Sequence, residues 1–124
     1  MASAAEHHLP QCNFEEVIRA QNDPNILVID VREIAELRDT GAIPGSINIP
    51  LAEVKMALGS NGVGEDFEAK YLTKKPGKDT EIIFTCRLGR RSGIAQQTAL
   101  QLGYTRVKNY TGGWLDWEER IKRQ

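Results

Sequence analysis

A single cysteine, Cys86, stands between a predicted strand and a predicted helix, where a chain can hold a reactive thiol. Glu81–Thr85 is a short apolar run typical of a buried strand, and a helical pattern begins at Ser92. Backbone N–H groups of such a loop and helix start point into one small concavity, which stabilises an anion. Because nearby N–H groups and cations lower the pKa of a thiol, we expect Cys86 to be a thiolate nucleophile.

Three arginines share this loop: Arg87, Arg90 and Arg91. Cations at the start of a helix are unfavourable because the helix dipole is positive there. The loop carries no carboxylate of its own, so the conflict indicates a functional site and an anionic substrate. The plainer alternative is a buried, inert cysteine flanked by solvated arginines.

Three segments of the chain resemble the rhodanese-type sulfurtransferases, and they occur in the order of that family. The loop Cys86–Arg91 resembles the family's Cys-Arg-x-Gly-x-Arg motif, and residues 109–114, Asn-Tyr-Thr-Gly-Gly-Trp, resemble its C-terminal signature. Residues 28–33 with 41–50 resemble its first signature, except that Ala42 replaces the usual histidine. The chain is most similar to the small single-domain thiosulfate sulfurtransferases of eukaryotes, including the insert at residues 67–76.

The resemblance implies a thiosulfate sulfurtransferase in which Cys86 carries a persulfide. The acceptor would be a thiol resembling glutathione, or cyanide, and no metal or organic cofactor is expected. Loop N–H groups and guanidinium groups would hold the donor, since a guanidinium suits oxyanions. The substrate-binding residues expected on this basis are Arg87, Leu88, Gly89, Arg90, Arg91 and Ser92.

Three further residues are expected to support the site. Asp30 and Arg32 follow a predicted strand, where they pair with each other or cap the next helix, and the resemblance places them near the loop. Trp114 follows a glycine pair and either walls the pocket or joins the core, whereas we expect Trp117 to be core.

Three other functions compete with this interpretation. A cysteine-dependent phosphatase or arsenate reductase is disfavoured because only four residues separate Cys86 from Arg91, one fewer than in the related phosphatases. A non-catalytic rhodanese-like binding module is disfavoured because the cysteine is present. A persulfide carrier that hands sulfur to a protein partner stays open.

The pattern of the chain predicts an α/β fold, with a mostly parallel sheet of about five strands and helices on both faces. Strands are expected at Cys12, Ile26–Val31, near Ile47, at Glu81–Thr85 and at 106–110. Helices are expected after Asn13, at 34–38, 51–58, 65–71 and from Ser92 to Leu102. We expect residues 1–10 to form a flexible tail and residues 11–124 to form one domain. Ligands of such sheets lie beyond the carboxyl ends of the strands.

Composition excludes several classes of function. The 124 residues carry a net charge of −1, so no nucleic-acid or membrane partner is expected. Two cysteines, Cys12 and Cys86, are too few for a disulfide framework, and the pair His7-His8 does not predict a metal site. We expect a monomer in the cytoplasm, or in mitochondria if a presequence has been removed.

Overall fold

A five-stranded sheet forms the centre of the computed structural model, which describes residues 9–59 and 64–123. The strand order is β1-β5-β4-β2-β3, and every neighbouring pair is parallel, so the sheet is more uniform than expected. The strands are β1 (Gln11–Cys12), β2 (Ile26–Asp30), β3 (Ile47–Asn48), β4 (Glu81–Thr85) and β5 (Val107–Tyr110).

The described residues contain six helices, of which five connect strands and the last follows β5. They are α1 (Phe14–Gln21), α2 (Ile34–Thr40), α3 (Leu51–Leu58), α4 (Gly64–Tyr71), α5 (Arg90–Gln101) and α6 (Gly113–Lys122). Helix α2 is two residues longer than predicted, and α5 begins two residues earlier, at Arg90. Within residues 9–59 and 64–123, every helix is too short or too polar to cross a bilayer.

Alternating side chains of the central strands feed two separate cores, one on each face of the sheet. Ile82 and Phe84 of β4 join one cluster, whereas Ile83 between them joins the other. The second cluster also contains Trp117 of α6, whose ring centroid lies 5.2 Å from that of Phe14 in α1. The expected core role of Trp117 is therefore confirmed. Burial on both faces explains why these strands are continuously apolar.

The register of the strands places the predicted site residues at one edge of the sheet. Asp30 pairs with Thr85 at the end of β2 and β4, and Phe84 pairs with Asn109 near the end of β5. Cys86 follows Thr85 directly, so its thiol lies at the carboxyl edge, where ligands of parallel sheets bind.

The start of the domain is tied to this sheet at Pro10, the last residue of the predicted tail. Its carbonyl accepts hydrogen bonds from the N–H of Asn109 at 3.1 Å and from the side-chain amide of Gln96 at 2.6 Å. Most of the predicted tail, including His7-His8, lies outside the described residues.

Candidate active site

The thiol of Cys86 lies inside a ring of hydrogen-bond donors. Its Sγ accepts from the N–H of Gly89 at 3.1 Å and from the N–H of Ser92 at 3.4 Å, and the Ser92 hydroxyl lies 3.2 Å away. Both donor residues are supplied by the start of α5, which follows β4 after a short loop. Cys86 is only 1% exposed, so its thiol has almost no contact with bulk solvent.

Two opposing effects set the pKa of this thiol. Burial raises the pKa of Cys86, because a charged sulfur loses its contact with water. Hydrogen bonds from the Ser92 hydroxyl and from the N–H groups of Ser92, Leu88 and Gly89 lower it, and together they outweigh burial. The pKa of Cys86 is therefore below its ordinary value, which favours the nucleophilic thiolate.

The second cysteine, Cys12, lies in the opposite environment. Burial, together with nearby Glu16, raises the pKa of Cys12 to about 12, so it stays a neutral thiol. It is 6% exposed in strand β1 and belongs to the core. Only Cys86, of the two, has the surroundings of a nucleophile.

The first turn of α6 holds the Cys86 loop in place. The N–H of Trp114 donates to the carbonyl of Cys86 at 2.7 Å, and the N–H of Leu115 donates to that of Arg87 at 3.3 Å. This close approach requires Gly113, which has φ of +61°, because a Cβ there would lie 2.6 Å from the Cys86 carbonyl oxygen. The Gly-Gly-Trp segment thus contributes its backbone to the site.

Asn109 of β5 braces the same loop from the side. Its amide nitrogen donates to the carbonyl of Gly89 at 3.0 Å, while the N–H of Gly89 donates to the Cys86 sulfur. The amide oxygen of Asn109 is buried and has no hydrogen-bond partner among the described residues, so the amide nitrogen alone ties this side chain to the loop. Asn109 is the first residue of the Asn-Tyr-Thr-Gly-Gly-Trp segment, but the sequence alone predicts no role for its side chain.

Arg91 is paired with a carboxylate, although the loop itself carries none. Its two terminal nitrogens donate to the carboxylate of Glu36 in α2, at 2.7 and 2.9 Å. The local sequence could not show this pair, because Glu36 lies 55 positions before Arg91. Arg87, Leu88 and Arg90 are exposed around the loop, and Leu88 reaches 60% exposure.

Asp30 and Arg32 form a buried pair behind the loop. The Arg32 guanidinium lies 2.8 Å from the Asp30 carboxylate, and both side chains are 1% exposed. Arg32 also donates to the Thr40 hydroxyl at 2.9 Å and to the Gly41 carbonyl at 3.1 Å, so it ties the end of α2 to the sheet. The expected pairing of Asp30 with Arg32 is confirmed. Because the carboxylate and the guanidinium neutralise each other, we assign the pair a structural role.

The indole of Trp114 packs into the core rather than standing apart from it. Its ring belongs to the cluster around α1 and α6, and the Arg32 guanidinium lies 5.0 Å from its centroid. The indole N–H is buried, and no atom in the described part of the chain accepts a hydrogen bond from it. The contribution of Trp114 to the loop is made by its backbone N–H.

A wide cleft of about 1030 Å³ lies away from the thiol. It is lined by the beginnings of β2 and β4 and by the segment from Thr73 to Gly77, so it opens at the opposite edge of the sheet. No residue of the Cys86 loop lines it. Within the described residues, no cluster of histidine, cysteine and acidic side chains could hold a metal ion.

The Ser92 hydroxyl offers a direct test of how the thiolate is stabilised. We expect Ser92→Ala to move the pH midpoint of Cys86 alkylation by iodoacetamide to higher pH, because the sulfur loses a donor that lowers its pKa. Alkylation rates measured across pH would also be lower in the variant below the wild-type midpoint. Ser46→Ala is the control, since that hydroxyl donates to the Ile43 carbonyl instead. Equal midpoints in wild type and Ser92→Ala would remove the hydroxyl from this role.

The chain is similar to proteins of known family. Residues 13–120 match the family model described as the Rhodanese-like domain. The mouse thiosulfate sulfurtransferase/rhodanese-like domain-containing protein 3 is 44% identical over 104 residues, covering 84% of this chain and 65% of the mouse protein. This chain therefore spans just under two-thirds of that relative. The human thiosulfate:glutathione sulfurtransferase is 38% identical over 94 residues, covering 75% of this chain and 79% of the human protein.

A solved structure agrees with these relatives. The human single-domain sulfurtransferase TSTD1 superposes with a TM-score of 0.82 at 34% identity, covering 90% of this chain and 96% of that one. The similarity extends through nearly the whole domain, so the strand order and both packed faces belong to one known fold.

Proposed function

Because this chain belongs to the rhodanese-like domain family, we propose that it is a sulfurtransferase that takes the outer sulfur of thiosulfate as a persulfide on Cys86. The observation that carries the proposal is the ring of donors from Gly89 and Ser92 around the buried Sγ. Such donors stabilise the thiolate before reaction. They are equally suited to an anionic persulfide after it, because both species place negative charge on sulfur.

In the first step, the Cys86 thiolate attacks the outer sulfur of thiosulfate. A new S–S bond forms to Sγ, the S–S bond of thiosulfate breaks, and its electron pair leaves with sulfite. One negative charge on the thiolate becomes one negative charge on the persulfide, and the two charges of thiosulfate leave on sulfite. No proton moves, so no general base is needed once the thiol is ionised.

In the second step, a thiolate acceptor attacks the outer sulfur of the persulfide. The acceptor leaves as a persulfide, and Cys86 returns as a thiolate; cyanide would leave as thiocyanate. Glutathione is our proposed acceptor, on the strength of the relative named a thiosulfate:glutathione sulfurtransferase. Two half-reactions through one covalent intermediate predict ping-pong kinetics.

Two exposed arginines next to Cys86 would guide the thiosulfate donor to the thiol. Arg87 and Arg90 are exposed beside Cys86, and a guanidinium presents a fork of donors that matches an oxyanion. The loop is also short, with four residues between Cys86 and Arg91. A phosphatase would use Arg91 to bind the phosphate group. Because Arg91 is paired with Glu36 here, we propose sulfur transfer instead.

The test is the intact mass of the reduced protein after incubation with thiosulfate. A gain of one sulfur atom that is lost on addition of glutathione or cyanide is the expected result. Failure to gain sulfur in a folded, reduced sample would contradict thiosulfate as the donor. Incubation with mercaptopyruvate and with a phosphatase substrate would then distinguish the competing chemistries.

A further inference from the structure

The ion pair between Arg91 and Glu36 alters the charge that the loop offers to a substrate. Both side chains are about a third exposed, at 33% and 32%, and the contact is bidentate, which uses the planar fork of the guanidinium. A dianionic donor that approaches Cys86 therefore meets a cation that already has an anion beside it.

Glu36 is itself held in position. One of its oxygens accepts from the N–H of Glu33 at 2.8 Å, at the start of α2. The hydrogen bond from Arg91 is the largest effect on the pKa of Glu36 and lowers it. Burial, the next largest effect, raises the pKa, and the N–H of Glu33 lowers it again, which leaves it at about 2. Glu36 thus stays ionised at neutral pH, where its charge compensates that of Arg91.

The other arginines near the loop are of two kinds, paired and unpaired. Arg32 is paired with Asp30, just as Arg91 is paired with Glu36. Across residues 9–59 and 64–123, neither Arg87 nor Arg90 has an ion-pair partner. The loop consequently presents two uncompensated charges, not three, to a dianion.

We propose that Glu36 limits the affinity of the Cys86 loop for dianions by pairing with Arg91. This proposal rests on the proposed function, in which the donor thiosulfate and the product sulfite are both dianions. A third free arginine would bind both more tightly. Binding that is equal for substrate and product lowers the KM without accelerating the reaction, and it slows release of the product.

Glu36→Gln is the test, because the amide keeps the size of the side chain and an oxygen for the Glu33 N–H. We expect the KM for thiosulfate and the inhibition constant of sulfite to fall together by roughly two- to fivefold, the range for a partly exposed charge. The kcat should stay the same or fall. This split between KM and kcat is not produced by a general loosening of the structure, which would raise the KM.

A matched control comes from Glu81, at the other end of β4. Glu81→Gln makes the same charge change, at a carboxylate that pairs with Arg106 and Lys108 instead. Its KM and sulfite inhibition should equal those of the wild type. If Glu81→Gln lowered both constants equally, the effect would belong to net charge and the proposal would be overturned.

The double variant decides whether Glu36 acts through Arg91. In an Arg91→Gln background, Glu36→Gln should lower the KM and the sulfite inhibition constant less than it does in the wild type, because no guanidinium is left for the change to free. A KM that is unchanged or raised in folded Glu36→Gln, or an effect of the same size without Arg91, would overturn the proposal. Failure of the underlying function has a different signature: the wild-type protein would gain no sulfur from thiosulfate.

Discussion

Cys86→Ser is expected to abolish sulfur transfer, lowering the rate by roughly 10⁴-fold or more, as removal of a covalent nucleophile does. A hydroxyl in the same ring of donors stays protonated at neutral pH, and it cannot form a persulfide. The change replaces one atom in a buried site, so the fold should persist. Intact mass after thiosulfate treatment should show no added sulfur, and the steady-state assay should show no thiocyanate when cyanide is the acceptor.

Cys12→Ser is the matched control for this result. Cys12 is also buried and free, but its pKa is raised to about 12 and it lies in the core beside β5. The variant should gain one sulfur from thiosulfate as the wild type does. Sulfur loading that survives in Cys86→Ser, or disappears in Cys12→Ser, would assign the nucleophile to Cys12.

Gly89→Ala is expected to cause the second-largest loss. Gly89 has φ of +86°, and a Cβ there would lie 2.6 Å from the carbonyl oxygen of Thr111. The left-handed conformation alone costs a residue with a Cβ about 1–2 kcal/mol. Relief of the clash must move the Gly89 N–H away from the Cys86 sulfur, and a misplacement of about 1 Å costs roughly 10²-fold in rate. We therefore expect a lower Tm, a higher pKa of Cys86 and a kcat/KM reduced by about that factor.

Gly45→Ala separates the effect of backbone strain from the effect of the clash with Thr111. Gly45 has the same φ of +86°, but no atom of residues 9–59 or 64–123 lies within 4 Å of the position that a Cβ would take. This variant should lose stability from backbone strain alone and keep the wild-type kcat/KM. Equal losses of activity in the two variants would mean that the contact with Thr111 does not position the thiol.

Local patterns in the sequence were enough to predict the strands of the sheet and the position of Cys86 beside them. Continuous apolar runs at 26–31 and 81–85 predicted the buried strands, because burial on both faces leaves few polar positions. The position of Cys86 after one of these runs placed it at the carboxyl edge. Helix α5 was predicted to begin at Ser92, but its hydrogen bonding begins at Arg90, after Gly89 in the left-handed conformation.

Contacts between distant segments could not be predicted in the same way. Glu36 and Arg91 are 55 positions apart, and Asn109 and Gly89 are 20 apart. Periodicity shows which face of an element is buried, but not which polar side chains meet across elements. The sequence carried a signal for Glu36 only as the third residue after Glu33, an arrangement typical of a helix start.

The contact between α6 and the Cys86 loop has a consequence for the order in which the site is made. The amides of Trp114 and Leu115 hold the carbonyls of Cys86 and Arg87, and they belong to the last helix of the domain. A growing chain leaves the ribosome from its N-terminus, so the thiol emerges before the helix that fixes its loop. A nascent domain that lacks residues 113–122 already contains the cysteine but not the clamp on its loop. The loop around Cys86 thus has all of its backbone contacts only after the final helix has been made and docked.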